Sequence, residues 1–185
     1  MWYVIQVKTG EEVSISSELK ARGIKTLVPR ENRPIRRGGN WIREIYVFFP
    51  GYVFLDLVYN AETYYQVKKV PGVIRFLGDS GMPSRLSHLE AEWISLLSGG
   101  RDMPVEPSVI CLEDGKPKSV KGVLERFTNR VIRYDLRQRK AIFEITVCNA
   151  KKEVRLSFEP EQDAGEDAGQ DMTEDPAEQI LQEAT

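Results

Sequence analysis

The sequence predicts an α+β protein: an antiparallel sheet flanked by helices, followed by a small β-barrel and an acidic disordered tail. Three observations lead there. Over residues 1–98, strand-like and helix-like apolar runs follow in the order β-α-β-β-β-α-β-α, which suits helices on one face of a mostly antiparallel sheet. After Ser108, five short β-branched runs spaced by polar turns fill about 50 residues, the pattern of a small barrel. Residues 159–185 hold ten Asp or Glu, no Lys or Arg and no aromatic residue. Such a segment cannot bury enough apolar surface to fold.

The elements follow from local chemistry. WYVIQV, residues 2–7, is an apolar, β-branched run suited to a central strand, and Gly10 ends it. Residues 11–22 read as a modestly amphipathic helix, with Ile15 and Leu19 one turn apart and Gly23 as its stop. KTLVPRENRPIR is an irregular or edge strand, because Pro29 and Pro34 cannot donate to a ladder. RRGGN makes it a hairpin with WIREIYVFF, in which Ile45, Val47 and Phe49 share a face. YVFLDLV is the next strand. Asn60 caps a short helix carrying Tyr64 and Val67, which Pro71 ends by about Lys69. GVIRFLG is a further strand, and Ser87 with Glu90 forms a capping box opening a helix that carries Leu89, Trp93, Leu96 and Leu97. The mixed Gly, Pro and charge of residues 99–108 predict a linker, and residues 109–158 the barrel.

The formal net charge of −2 conceals segregation. Residues 1–158 carry +8, and all of it lies in 116–158, where twelve Lys or Arg face four acidic residues. A cluster of this kind is a candidate nucleic-acid footprint. Cys111 and Cys148 have no partners at metal-ligand spacing and read as buried thiols. His88 is the only histidine and sits in the capping-box segment, so no catalytic triad, phosphate loop or paired-carboxylate site is visible. The expectation is a protein that is not an enzyme and carries no metal or cofactor. No apolar run nears the roughly 18 residues of a membrane span. The opening strand has no secretory signal pattern, which predicts a cytoplasmic protein.

VFFPGYVFLD, residues 47–56, sets four rings around a Pro-Gly step. Aromatic residues beside a sharp kink bury large area with few rotors, as binding hot spots do. Together with WYVIQVKTGEE and VPGVIRFLG, this segment resembles the N-terminal domain of the NusG family of transcription elongation factors, in that family's order and spacing over about 75 residues. Residues 109–158 resemble the family's SH3-like KOW barrel, and VIRYDLRQRKA is similar to the LoaP group of specialised paralogs. GVLERFTN aligns with the KOW loop, keeping Gly122 and placing Arg126 and Asn129 where glycines are usual; Asn129 tolerates left-handed geometry.

The resemblance implies that an apolar depression grips the clamp helices of RNA polymerase, a role carried onto Phe48, Phe49, Pro50, Gly51 and Tyr52, with Trp2 as a wall. Asn60 and Thr63, in the loop after the YVFLDLV strand, would reach the opposite pincer, although both also serve as helix-cap residues. The same resemblance implies a bacterial, monomeric antitermination factor whose barrel holds a nascent RNA hairpin through Lys116, Lys118, Lys121, Arg126, Arg130, Arg133, Arg137, Arg139 and Lys140. Phe127, Tyr134, Phe143 and Phe158 are the barrel's few aromatics, which favours backbone and shape readout over base stacking. Arg33, Arg36 and Arg37 at the hairpin tip read equally as a DNA or RNA contact and as a solubilising loop. The acidic tail reads as a solvating appendage or as a competitor for RNA. Two other functions stay open: a ribosomal-type KOW RNA-binding protein, and a general NusG coupling transcription to Rho or to a ribosomal protein.

Overall fold

The computed structural model describes residues 1–78, 82–113 and 116–161, without the side chains of Lys116, Lys118 and Ser119. Of the expected acidic tail 159–185, residues 162–185 lie outside these residues, whereas Glu159 and Pro160 are not disordered but end the last strand, paired with Val109 and Ile110, and Glu161 N donates to the Ile110 carbonyl. β1 (Trp2–Val7) runs through the middle of an antiparallel sheet, between β5 (Tyr52–Asp56) and β6 (Val73–Phe76), and β2 (Lys25–Leu27) borders β5. Alternation along β1 gives this sheet two apolar faces. Tyr3, Ile5 and Val7 point into one core with Val53 and Leu55, while Val4 and Phe54 point into another.

The first core is closed by α1 (Glu12–Ala21), through Ile15 and Leu19, and by α2 (Ala61–Lys68), through Val67. α3 (His88–Leu96) does not join them. Its Trp93 and Ile94, with Leu97, pack into the second core, so the helices divide between the faces instead of sharing one. Leu89, expected on the buried stripe, is exposed. The predicted N-cap and the predicted capping box are both formed, the first also as a box: the Asn60 carboxamide oxygen accepts from Thr63 N at 2.8 Å, and Ser87 Oγ accepts from Glu90 N at 3.2 Å.

β3 (Arg30–Arg37) and β4 (Asn40–Val47) form a separate two-stranded ribbon turning at Gly38 and Gly39. Its expected inward face is formed only in part: Ile45 is 53% exposed, Val47 packs against the first core, and the strand ends before the buried Phe49. A ribbon standing off the sheet has only what docks against it for a core.

β7 (Ser108–Glu113), β8 (Lys116–Lys121), β9 (Val131–Asp135), β10 (Lys140–Val147) and β11 (Ala150–Pro160) make a five-stranded sheet in the order β8-β7-β11-β10-β9. Between β8 and β9, Val123–Arg130 is a 3-10 segment that buries Leu124 and Phe127. Asn129 is not left-handed as expected; Asp102, Arg139, Cys148 and Asn149 are the described non-glycine residues with positive φ. The stretch expected to link the halves is itself packed: Asp102 Oδ1 accepts from Val28 N at 2.7 Å, and Val105 bridges to Glu31. Among the described residues no helix is long and apolar enough to cross a membrane.

Candidate functional site

The Pro-Gly step bends the chain into a notch on the second face of the N-terminal sheet. Gly51 has φ +83°, and its N–H donates to the buried Glu12 carboxylate at 2.6 Å. The same carboxylate accepts from Gly10 N at 3.0 Å, tying the start of α1 to the bend. A Cβ at Gly51 would lie 3.2 Å from Thr9 Oγ1, so the close approach this glycine allows is to its own chain and not to a partner's surface. The bend leaves Phe49 edge-on to Phe54, with centroids 5.5 Å apart, and Tyr52 beside them.

This notch is faced by the C-terminal sheet. Val4, Phe49, Tyr52, Phe54 and Leu77 form one wall of a cleft, and Val147, Cys148, Ala150 and Lys152 form the other. The facing segment is the tight turn between β10 and β11, with φ of 50° at Cys148 and 61° at Asn149, the geometry of a two-residue hairpin loop. Lys152 Nζ lies 5.8 Å from the Tyr52 ring centroid. One apolar cluster therefore runs from Val4 and Phe49 through Trp93 into Phe127, Phe143 and Phe158.

A buried polar contact holds the ribbon to the same sheet. The Glu31 carboxylate, with no exposed surface, accepts from the backbone N–H of Ser157 at 2.5 Å and from Arg33 Nε at 2.7 Å. Arg33 also donates to the Arg155 carbonyl at 2.8 Å, and its guanidinium lies 3.3 Å over the Tyr46 ring. Lys140 donates to Ser157 Oγ. Burial pushes the Lys140 ammonium down to about 8; the Glu31 carboxylate pulls the other way, and the Arg33 guanidinium adds to the depression. Arg43 reaches Glu106 and Glu159 at 3.2 and 3.3 Å.

Of the expected polymerase-binding residues, Phe49, Gly51 and Tyr52 come together. Phe48 lies in a neighbouring cleft with Arg33, Tyr46 and Arg155, and Pro50 is exposed. Trp2 belongs to the same cluster but lines a separate hollow against α3, so it is no wall of the notch. Asn60 and Thr63 are engaged in capping each other.

The expected RNA contacts are spread out. Arg126, Arg133 and Arg137 are exposed, and Arg130 lies 4.5 Å over the Trp93 ring. Lys121 pairs with Glu161 at 2.7 Å, and Arg139 stacks 4.6 Å over Trp41. Lys116 and Lys118 sit on β8, but their side chains lie outside the described residues. Phe127, Phe143 and Phe158 are buried and Tyr134 is half-buried, so none is an open stacking platform. Both cysteines are half-buried instead of fully buried. Sequence reasoning missed Glu12, Glu31 and Asp102, acids that are buried because distant backbone donors reach them. Only Glu12, in the first turn of a helix after a glycine, carried a local signal.

Fold and site together define a two-module chain in which a small α+β sheet presents an aromatic notch to a second, all-β module. The family model described as "Transcription termination factor nusG" matches residues 1–95, and the chain belongs to the NusG family. It is 34% identical over 103 residues to the "Transcription termination/antitermination protein NusG" of Vibrio vulnificus, covering 50% of this chain and 57% of that protein. It is 31% identical over 141 residues to that of Escherichia coli O6:H1, covering 67% of this chain and 78% of the relative. A solved structure described as "Domain interaction in Thermotoga maritima NusG" shares the fold, with a TM-score of 0.52 and 22% identity over 84% of this chain and 92% of its own.

Proposed function

We propose that the chain is a transcription elongation factor of the processive antitermination type, which binds RNA polymerase through the notch around Phe49 and Tyr52 and nascent RNA through its basic C-terminal module. In this reading residues 1–98 are the NusG-like domain and residues 109–158 an SH3-like KOW barrel of LoaP-like character. The observation that carries the reading is the notch itself: Phe49, Tyr52 and Phe54 form an apolar wall that faces the chain's own Val147–Lys152 turn across a cleft. Two apolar helices of a polymerase clamp are a larger surface of the same kind. They reach it only after the turn withdraws, so polymerase affinity is reduced by the fraction of chains that remain closed.

The closed clamp is the state a bound factor would favour, and only differential affinity for the closed and open clamp shifts that balance. No catalytic group is required. Among the described residues no group of three His, Cys, Asp or Glu is placed to hold a metal. The test is a titration of core polymerase with the full chain and with Tyr52→Ala. At least a tenfold loss with an unchanged circular dichroism spectrum is expected; equal binding by the two proteins would reject the notch as the contact.

A further inference from the structure

A subset of the arginines that the polymerase reading leaves unused lies where the ribbon tip meets the β9–β10 turn. Arg139, in the turn joining β9 to β10, stacks its guanidinium 4.6 Å over Trp41 of the ribbon. Trp41 nevertheless remains 44% exposed. Its cross-strand partner is Arg36, and the next pair along the ribbon is Arg37 with Asn40. Arg36, Arg37 and, across the seam, Arg137 are exposed and make no ion pair with described residues. Arg133 stands exposed on β9, beside Ile142 of β10.

We propose that this seam, formed by the ribbon tip and the β9–β10 turn, is an RNA-binding surface shared by both modules and complete only while they are docked. The inference rests on the RNA reading above and deepens it, because it moves half of the site onto the N-terminal module. Like charges brought to both sides of a docking seam repel one another, an arrangement that opposes closure unless a polyanion lies along it. Phosphates are the matching ligand for arginines with no carboxylate partner, since their oxygens meet the planar guanidinium fork.

Side-chain chemistry favours unpaired RNA over a duplex. The exposed part of Trp41 and the neighbouring guanidinium planes stack bases that a duplex keeps internal. Asn40, at the start of β4, and Gln138, in the β9–β10 turn, are exposed and offer amides that pair with a ribose 2′-hydroxyl. Undocking, which polymerase binding requires, leaves the RNA on the C-terminal module's own exposed arginines at reduced affinity, so the shared seam serves the closed chain before it joins polymerase.

The test measures binding of the full chain to a labelled RNA hairpin with a large single-stranded loop, at several salt concentrations. Arg36→Ala with Arg37→Ala should weaken binding at least fivefold at low salt and flatten the log-log salt slope by about 1.4, the value for two contacts to single-stranded phosphates. Trp41→Ala should weaken it by about tenfold. All three residues are exposed, so the variants keep the fold; matched thermal unfolding checks this.

If the ribbon variants bind as tightly as the parent while Arg133→Ala with Arg137→Ala loses affinity, RNA belongs to the C-terminal module and the shared seam is wrong. If the parent chain itself ignores the RNA, the RNA reading falls and the seam falls with it. Equal affinity for single-stranded DNA of the same sequence overturns the assignment to RNA.

Discussion

Glu31 and Ser157 stand 126 positions apart, yet the carboxylate of the first accepts the backbone N–H of the second at 2.5 Å with both residues fully buried. A carboxylate stripped of water must recover hydrogen bonds, and Glu31 recovers one from the opposite module and one from Arg33. Docking and the desolvation of Glu31 are thus a single event.

Replacing Glu31 should therefore open the chain. Glu31→Ala leaves the Arg33 guanidinium with the Arg155 carbonyl and the Tyr46 ring but no carboxylate, and Ser157 N without its acceptor, a loss of about 3–5 kcal/mol by the general cost of breaking a buried pair. Small-angle scattering should show a larger radius of gyration than the parent, and polymerase affinity should rise as the notch clears. An unchanged radius would remove Glu31 as the latch.

Phe49 and Tyr52 should separate stability from binding. Phe49 is 6% exposed and edge-on to Phe54, so Phe49→Ala should cost about 3–5 kcal/mol in urea unfolding. Tyr52, half-buried below Lys152, should lose polymerase with little change in midpoint. The reverse ranking would mean that the notch is a core and not a contact.

Gly51→Ala should be costly although only a methyl is added. Left-handed backbone at φ +83° costs a non-glycine residue about 1–2 kcal/mol, and the new Cβ would press on Thr9 Oγ1 at 3.2 Å. Thermal unfolding reads the loss; Gly100→Ala, left-handed at φ +71° but with open space around it, isolates the backbone share.

Lys140 gives the fold a pH dependence of definite sign. In the unfolded chain its ammonium keeps its proton up to about 10.5, and in the native protein only to about 8. Between these values the unfolded state binds more protons, so stability from this group rises with pH, and below 8 the burial penalty is present in full. Lys140→Met should thus be more stabilising at pH 7 than at pH 9.5 in parallel urea titrations. A gap that does not narrow would place the Lys140 amine in solvent.

How much was legible in the sequence depended on the range of the forces involved. α2 and α3 were readable because Asn60, Thr63, Ser87 and Glu90 cap within three residues, and the Gly38-Gly39 turn because it needs positive φ. The side of the sheet taken by α3 was not, since Trp93 and Ile94 are ordinary apolar residues until Phe127 and Phe143 arrive from the other module. The aromatic segment was visible as an unusual cluster. Its covering was invisible, because Val147, Cys148 and Ala150 carry no mark of their destination. Asn129 misled for a related reason: the 3-10 segment keeps it right-handed while Cys148 and Asn149 make the left-handed turn.

The turn lodged against Phe49 and Tyr52 also bears on how such a protein survives in crowded solution. Bare rings on a sheet face invite self-association, and a chain that sheathes them with its own hairpin can wait at high concentration without clumping. On the proposed function, stickiness is displayed only at the moment of use, and colloidal safety becomes a second benefit of the same fold.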